Sequence, residues 1–119
     1  MEGLYRKKIM NHYLAPRNKG KLKKPFTFFE GKNPSCGDEV NFYLKMDSRG
    51  QVKEVGWEGN GCVVSMASSS ILSEQLIGKT LKQIQKFDQK KFLRDLEMPL
   101  SPTRTKCALM PIFTLRNGE

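Results

Sequence analysis

Three cysteines and one aspartate carry the most pointed chemistry in this chain of 119 residues. Cys36 and Asp38 lie two apart in NPSCGD, residues 33–38, with Gly37 between them. In an extended segment, residues two apart point to the same side, so thiol and carboxyl would converge. The glycine gives backbone freedom and leaves room for an ion beside the chain. Cys62 follows Gly59 and Gly61 in GNGCVVSMASSS, residues 59–70, at what reads as a helix start. Unpaired amides and the helix dipole favour a thiolate there. Cys107 follows Arg104 and Lys106, whose positive charges act in the same direction.

Three thiolates and one carboxylate make a four-ligand set. Zinc accepts tetrahedral sulfur-rich sites, and iron–sulfur clusters are held mostly by cysteine thiolates. A carboxylate is a harder donor and a poorer match for iron–sulfur chemistry, so it would favour lability. Lability is a defect in an electron carrier and an advantage in a protein that hands its cluster on. Spacing alone does not gather these residues. No CxxC pair is present, and a lone buried cysteine is usually a small hydrophobe. His12 reads as a packed helical histidine and not as a ligand. The serine run 68–70 reads as close packing and not as a nucleophile, because the one histidine of the chain is far away in sequence.

The bulk composition narrows the class. At 119 residues the chain suits one domain, 1–119, with one modest core. A hydrophobic fraction of 38% and a charged fraction of 28% are those of a soluble protein. No apolar run is long enough to span a membrane, and the basic start MEGLYRKKIMNHYLAP has no signal core, so the expectation is a cytoplasmic protein. An odd count of well-separated cysteines is a poor disulfide framework and points to metal or thiol chemistry in a reducing compartment. The net charge of +9 raises nucleic acid as a partner. The basic residues are dispersed, however, and aromatic residues are not interleaved with them as in single-strand binders. A basic surface that docks an acidic protein is the better reading.

These residues need elements to position them. Residues 2–14 suit a helix with Tyr5, Ile9 and Tyr13 on one stripe, stopped by Pro16. Phe26–Phe29 is a short strand signal, and its aromatics, with Trp57, are expected in the core. In VNFYLKM, residues 40–46, Val40, Phe42, Leu44 and Met46 alternate with polar positions, so one sheet face is apolar. DSRG, residues 47–50, is a hairpin turn leading to a return strand with Val55 and Trp57 on one face. A helix over Val63–Ile77 ends at Gly78, and its apolar residues, with serines between them, allow packing on several sides. Thr80 caps a further helix, another is expected around Phe92–Leu96, and MPLSPTR, residues 98–104, reads as a proline-broken loop.

Taken together, HYLAPRNKG, NPSCGDEV, GNGCVVSMASSS, EQLIGKTL and RTKCAL resemble the NifU/IscU/SufU family of iron–sulfur cluster assembly scaffolds from about Tyr5 to about Leu109. The resemblance implies an α+β domain, with a small three-stranded antiparallel sheet and helices packed on one face. It implies that Cys36, Asp38, Cys62 and Cys107 gather at one exposed end and bind a transient [2Fe–2S] cluster, or Zn2+ at the same site. It further implies a cysteine desulfurase that delivers persulfide sulfur, with Cys36 or Cys107 as acceptor, together with an iron donor and apo-protein acceptors of the cluster. Such a protein is a scaffold more than an enzyme, since cluster and sulfur leave with each cycle.

Several positions depart from the family patterns. Lys106 stands where IscU-type proteins carry a histidine before the last cysteine. Arg104 to Ala108, R-x-K-C-A, is similar to SufU, which implies an alternative role as a zinc-dependent sulfurtransfer partner of a desulfurase. The insertion usual in SufU between the second and third cysteines is missing. MPLSPTRTK replaces the LPPVK-type motif, so a specialised Hsp70 chaperone is not implied. Pro111, four residues after Cys107, predicts a last helix that is shortened or broken, with Cys107 less firmly held.

Overall fold

A computed structural model describes residues 2–33, 37–96 and 100–117, the side-chain surroundings of residues 2–6, 33 and 117 excepted; Cys36 and the Tyr5 side chain lie outside the described part. The elements run α1 (Glu2–Leu14), β1 (Thr27–Asn33), β2 (Asp38–Met46), β3 (Val52–Asn60), α2 (Val63–Leu76), α3 (Leu81–Gln85), α4 (Gln89–Asp95) and α5 (Pro102–Asn117). The strands form an antiparallel sheet in the order β1-β2-β3, as the alternation in residues 40–46 predicts. Its register sets Phe29 beside Phe42 and Phe42 beside Trp57, then Gly31 beside Val40 and Val40 beside Gly59. Val40, Phe42, Leu44 and Trp57 are fully buried on the helix-covered face. The turn at 47–50 is tied by Asp47 Oδ1, which accepts from the backbone N–H of Arg49 at 2.8 Å and of Gln51 at 3.0 Å.

Helices α2 and α5 pack side by side on the inner face, and α1 lies against α2. Gly31 lets α5 approach the sheet: a Cβ there would fall 1.8 Å from Thr114 Oγ1. Helix α2 is buried nearly all round, with Ser65, Ser68, Ser69, Ser70 and Ser73 all inaccessible to solvent. The serines are packing residues, as their spacing suggests, and most also bind. Ser69 and Ser73 donate to carbonyls of their own helix, and Ser70 Oγ accepts the Arg17 N–H at 2.8 Å.

Structure and sequence reading differ at four places. Among the described side chains of α1, Ile9 and His12 are buried, the histidine packed as the sequence reading has it, while Tyr13 is exposed. His12 turns inward because α2 offers it a hydroxyl: Nδ1 lies 2.7 Å from Ser70 Oγ, and Nε2 lies 3.8 Å from the Glu74 carboxylate. Phe29 and Trp57 are in the core, but Phe26 and Phe28 pack with Tyr43 on the opposite sheet face, at ring distances of 4.9 and 5.2 Å from it. The segment PTR, residues 102–104, is the first turn of α5 and not loop. Ser101 Oγ accepts the Arg104 N–H at 3.2 Å, with Pro102 in the first helical position, where its missing N–H costs nothing.

The fourth difference is Pro111. Helix α5 runs unbroken from Pro102 to Asn117 with Pro111 inside it, and Cys107 is 3% exposed. Proline forfeits one helical hydrogen bond and strains one turn. Burial of Ile112 and Leu115 beyond it pulls the chain onward in helical form. Gln85 Nε2 also donates to the Leu115 carbonyl at 3.0 Å, tying the far end of α5 to α3. Among the described residues, no helix is long and apolar enough to cross a membrane.

Candidate metal centre

The centre lies where β2 begins and α2 begins. Antiparallel pairing puts the start of β2 next to the end of β3, with Glu39 opposite Asn60. The chain leaves β3 at Asn60, and Gly61 and Cys62 then lead directly into α2. Asp38 and Cys62, far apart in sequence, thus meet at one end of the sheet. Cys107 reaches the same place from α5. Ligand atoms of Asp38, Cys62 and Cys107 all lie within 4.8 Å of one another. Gly37, just before Asp38, has a φ of 74°, the left-handed conformation its lack of a side chain permits.

Cys62 is the N-cap of α2. Its sulfur accepts the Ser65 backbone N–H at 3.4 Å, a role that serine or aspartate oxygens usually fill. The cap fixes the direction of the thiol and provides the amide contact that the helix start suggests. Cys62 is half-buried, Asp38 is 5% exposed and Cys107 is 3% exposed. Arg104 and Lys106 are both exposed.

Two further residues shape the centre, and the sequence reading gave neither a site role. The Ser65 hydroxyl donates to Asp38 Oδ2 at 2.8 Å. Gly61 leaves the space in which the carboxylate sits, since a Cβ there would be 2.6 Å from Asp38 Cγ and 2.8 Å from Ser65 Oγ. The signal for Ser65 is its place three residues after the cap, from which a short polar side chain reaches back to the helix start.

The donors fit a metal. Two sulfurs and a carboxylate oxygen suit zinc or iron. In a tetrahedral zinc site, Zn–S bonds of about 2.3 Å place sulfurs about 3.8 Å apart, so the present separations need shifts of no more than about 1 Å. Of the residues anticipated for the site, Asp38, Cys62 and Cys107 are brought together, and Cys36 lies outside the described residues. His12 takes no part in the cluster and is bound to Ser70. Burial, then the positive charge of Arg17, hold its pKa below the usual 6.5, with Lys8 adding to that effect and Glu74 opposing it.

An α+β domain with thiols and a carboxyl group gathered at one end of a three-stranded sheet is the frame of a metal- or cluster-handling protein. This chain belongs to the NifU-like N terminal domain family, which matches residues 4–118. It is 33% identical to the iron–sulfur cluster assembly scaffold protein IscU of Thermotoga maritima, over 97% of this chain and 92% of that protein. It is also 33% identical to the zinc-dependent sulfurtransferase SufU of Bacillus subtilis, over 99% of this chain and 90% of that one. The fold superposes with a TM-score of 0.78, at 32% identity and 93% coverage of both chains, on a candidate iron–sulfur cluster assembly scaffold of the SUF system from Fervidobacterium islandicum AW-1.

Proposed function

We propose that this chain, acting as one domain over residues 1–119, is a scaffold on which a [2Fe–2S] cluster is assembled and then passed to apo-proteins. The observation that carries the proposal is the convergence of the Asp38, Cys62 and Cys107 ligand atoms within 4.8 Å. In this reading Cys36 is the fourth ligand, and the cytoplasm supplies the reducing conditions that the thiols need. The cluster is cargo, so the chain's task is to present donors and release them. Cys62 is oriented by its cap, Cys107 by burial in α5, and Asp38 by Ser65. The carboxylate is the hardest donor of the set and the weakest hold on a cluster, which favours release.

Sulfur enters from a cysteine desulfurase. A thiolate of this chain attacks the outer sulfur of the partner's persulfide. A new S–S bond forms here, the partner's S–S bond breaks, and the electron pair leaves with the partner's thiolate. Cys36 and Cys107 are the acceptors of the proposal. Cys107 is only 3% exposed, so attack by its sulfur requires the centre to open.

A second reading is favoured by the likeness to the zinc-dependent sulfurtransferase SufU, equal in identity to that of the IscU relative. Zinc would occupy the same donors, and a desulfurase would capture one of them while sulfur moves to Cys36. Anaerobic purification with metal and acid-labile sulfide analysis, followed by addition of desulfurase, cysteine and iron, separates the two. A visible [2Fe–2S] chromophore that transfers to an apo-ferredoxin supports the scaffold. Stoichiometric zinc with strong desulfurase activation and no chromophore overturns it in favour of sulfur relay.

A further inference from the structure

We propose that Ser65 is the positioning residue of the centre, and that its hydroxyl, through Asp38, sets the affinity for the ion. The proposal rests on the metal reading of the site. Ser65 is fully buried and Asp38 is 5% exposed. Ser65 Oγ lies 2.8 Å from Asp38 Oδ2, 3.1 Å from the Cys62 carbonyl and 3.5 Å from Cys62 Sγ. A hydroxyl has one proton to give. The carboxylate is the nearest of these acceptors, and a charged oxygen makes the stronger bond. The proton therefore goes to Asp38.

The residue holds two ligands by two different groups. Its main-chain N–H fixes the Cys62 sulfur, and its side chain fixes the Asp38 carboxylate. Helix α2 thereby sets the separation between a thiol it carries and a carboxylate carried by β2. One carboxylate oxygen is committed to Ser65, which biases Asp38 toward ligation through a single oxygen. Outer partners of this kind typically change metal affinity by about 10- to 100-fold when removed.

The two roles separate cleanly by substitution, because Ser65→Ala keeps the N–H and removes only the hydroxyl. Affinity for Zn2+ is measured on the full chain by competition with a chromophoric chelator, and Co2+ is used as a spectroscopic probe. Ser65→Ala is expected to lose about tenfold in Zn2+ affinity and to weaken and shift the Co2+ ligand-field bands. Ser69→Ala is the control. It removes an equally buried hydroxyl one turn along, bonded to the Ser65 carbonyl at 2.9 Å, and should leave affinity within about twofold. In an Asp38→Ala background, Ser65→Ala should add no further loss, since the hydroxyl acts through that carboxylate.

The proposal is overturned if Ser65→Ala matches wild type in affinity and Co2+ spectrum, or if its loss persists undiminished without Asp38. Should Ser65→Ala not fold, Ser65→Thr carries the test. The retained hydroxyl predicts affinity within about threefold of wild type, and a tenfold loss overturns the idea. Wild-type protein that binds neither ion removes the metal reading itself, and this proposal with it. Wild-type protein that binds while Ser65→Ala is its equal removes this proposal alone.

Discussion

Replacing Gly61 by alanine tests how tightly the centre is built. The added Cβ would lie 2.6 Å from Asp38 Cγ, 2.9 Å from Asp38 Cβ and 2.8 Å from Ser65 Oγ. Carbon atoms rest at about 3.5–4.0 Å, so the carboxylate must retreat by about 1 Å. The φ of Gly61 lies outside the left-handed region, so the penalty is steric and not torsional. The Ser65–Asp38 bond, now 2.8 Å, would stretch beyond useful hydrogen-bond length. Loss of a hydrogen bond to a charged group costs about 1.5–3 kcal/mol, and overpacking costs about 1–3 kcal/mol. These overlap, since the retreat that relieves one causes the other, so the expected destabilisation is about 2–3 kcal/mol. Urea unfolding of the metal-free protein measures it, and chelator competition should show at least about tenfold weaker Zn2+ binding. Asp38→Ala removes the contact with Cγ but keeps those with the Cβ of residue 38 and with Ser65 Oγ, so Gly61→Ala should cost less in that background by about the lost Ser65–Asp38 hydrogen bond and still show the overpacking cost. Wild-type stability together with wild-type affinity in Gly61→Ala would refute the packing argument.

Three other substitutions probe the frame. Pro111→Ala restores a helical N–H, worth about 3 kcal/mol, and gives up ring burial of about 1.6 kcal/mol, so urea unfolding should show a net gain of about 1 kcal/mol. Lower stability would mean that α5 accommodates the proline without cost. Ser68 Oγ is buried with no hydrogen-bond partner among the described residues, so Ser68→Ala should be neutral or stabilising by up to about 1 kcal/mol in the same assay, and a clear loss would reveal a further partner. His12 has a pKa below 6.5 in the fold, so the folded state resists taking up a proton that the unfolded chain accepts. The stability this contributes is complete above pH 6.5 and is lost as pH falls through the lowered folded pKa. Thermal melts at successive pH values should show that slope in wild type and a flatter one in His12→Gln; equal slopes would exclude His12 as the cause.

The element pattern was largely legible in the sequence because it rests on local rules. Alternation over residues 40–46 sets the sheet face, DSRG the turn, and Thr80 the cap of α3, where a full capping box forms with Gln83. Local reasoning failed where a distant group intervened. Helix α5 survives Pro111 because the core needs Ile112 and Leu115. Phe28 faces outward because register, and not hydrophobicity, assigns alternate residues of β1 to opposite faces. At α5, the Ser101–Pro102 start was a local signal that proline's reputation as a breaker concealed.

The candidate site divides along the same line. Residue chemistry alone singled out Cys36, Asp38, Cys62 and Cys107 as candidate donors, and the glycine turn placed Cys62 at a helix start; Cys36 lies outside the described residues. What the sequence could not specify is their meeting, because spacings of tens of residues contain no distance information. Antiparallel pairing supplies it by setting the start of β2 beside the end of β3, and packing of α5 on the sheet brings in the third donor. The roles of Ser65 and Gly61 appear only at that stage. A hydroxyl becomes an anchor, and a missing side chain becomes a berth, only when the carboxylate of another element is held against them.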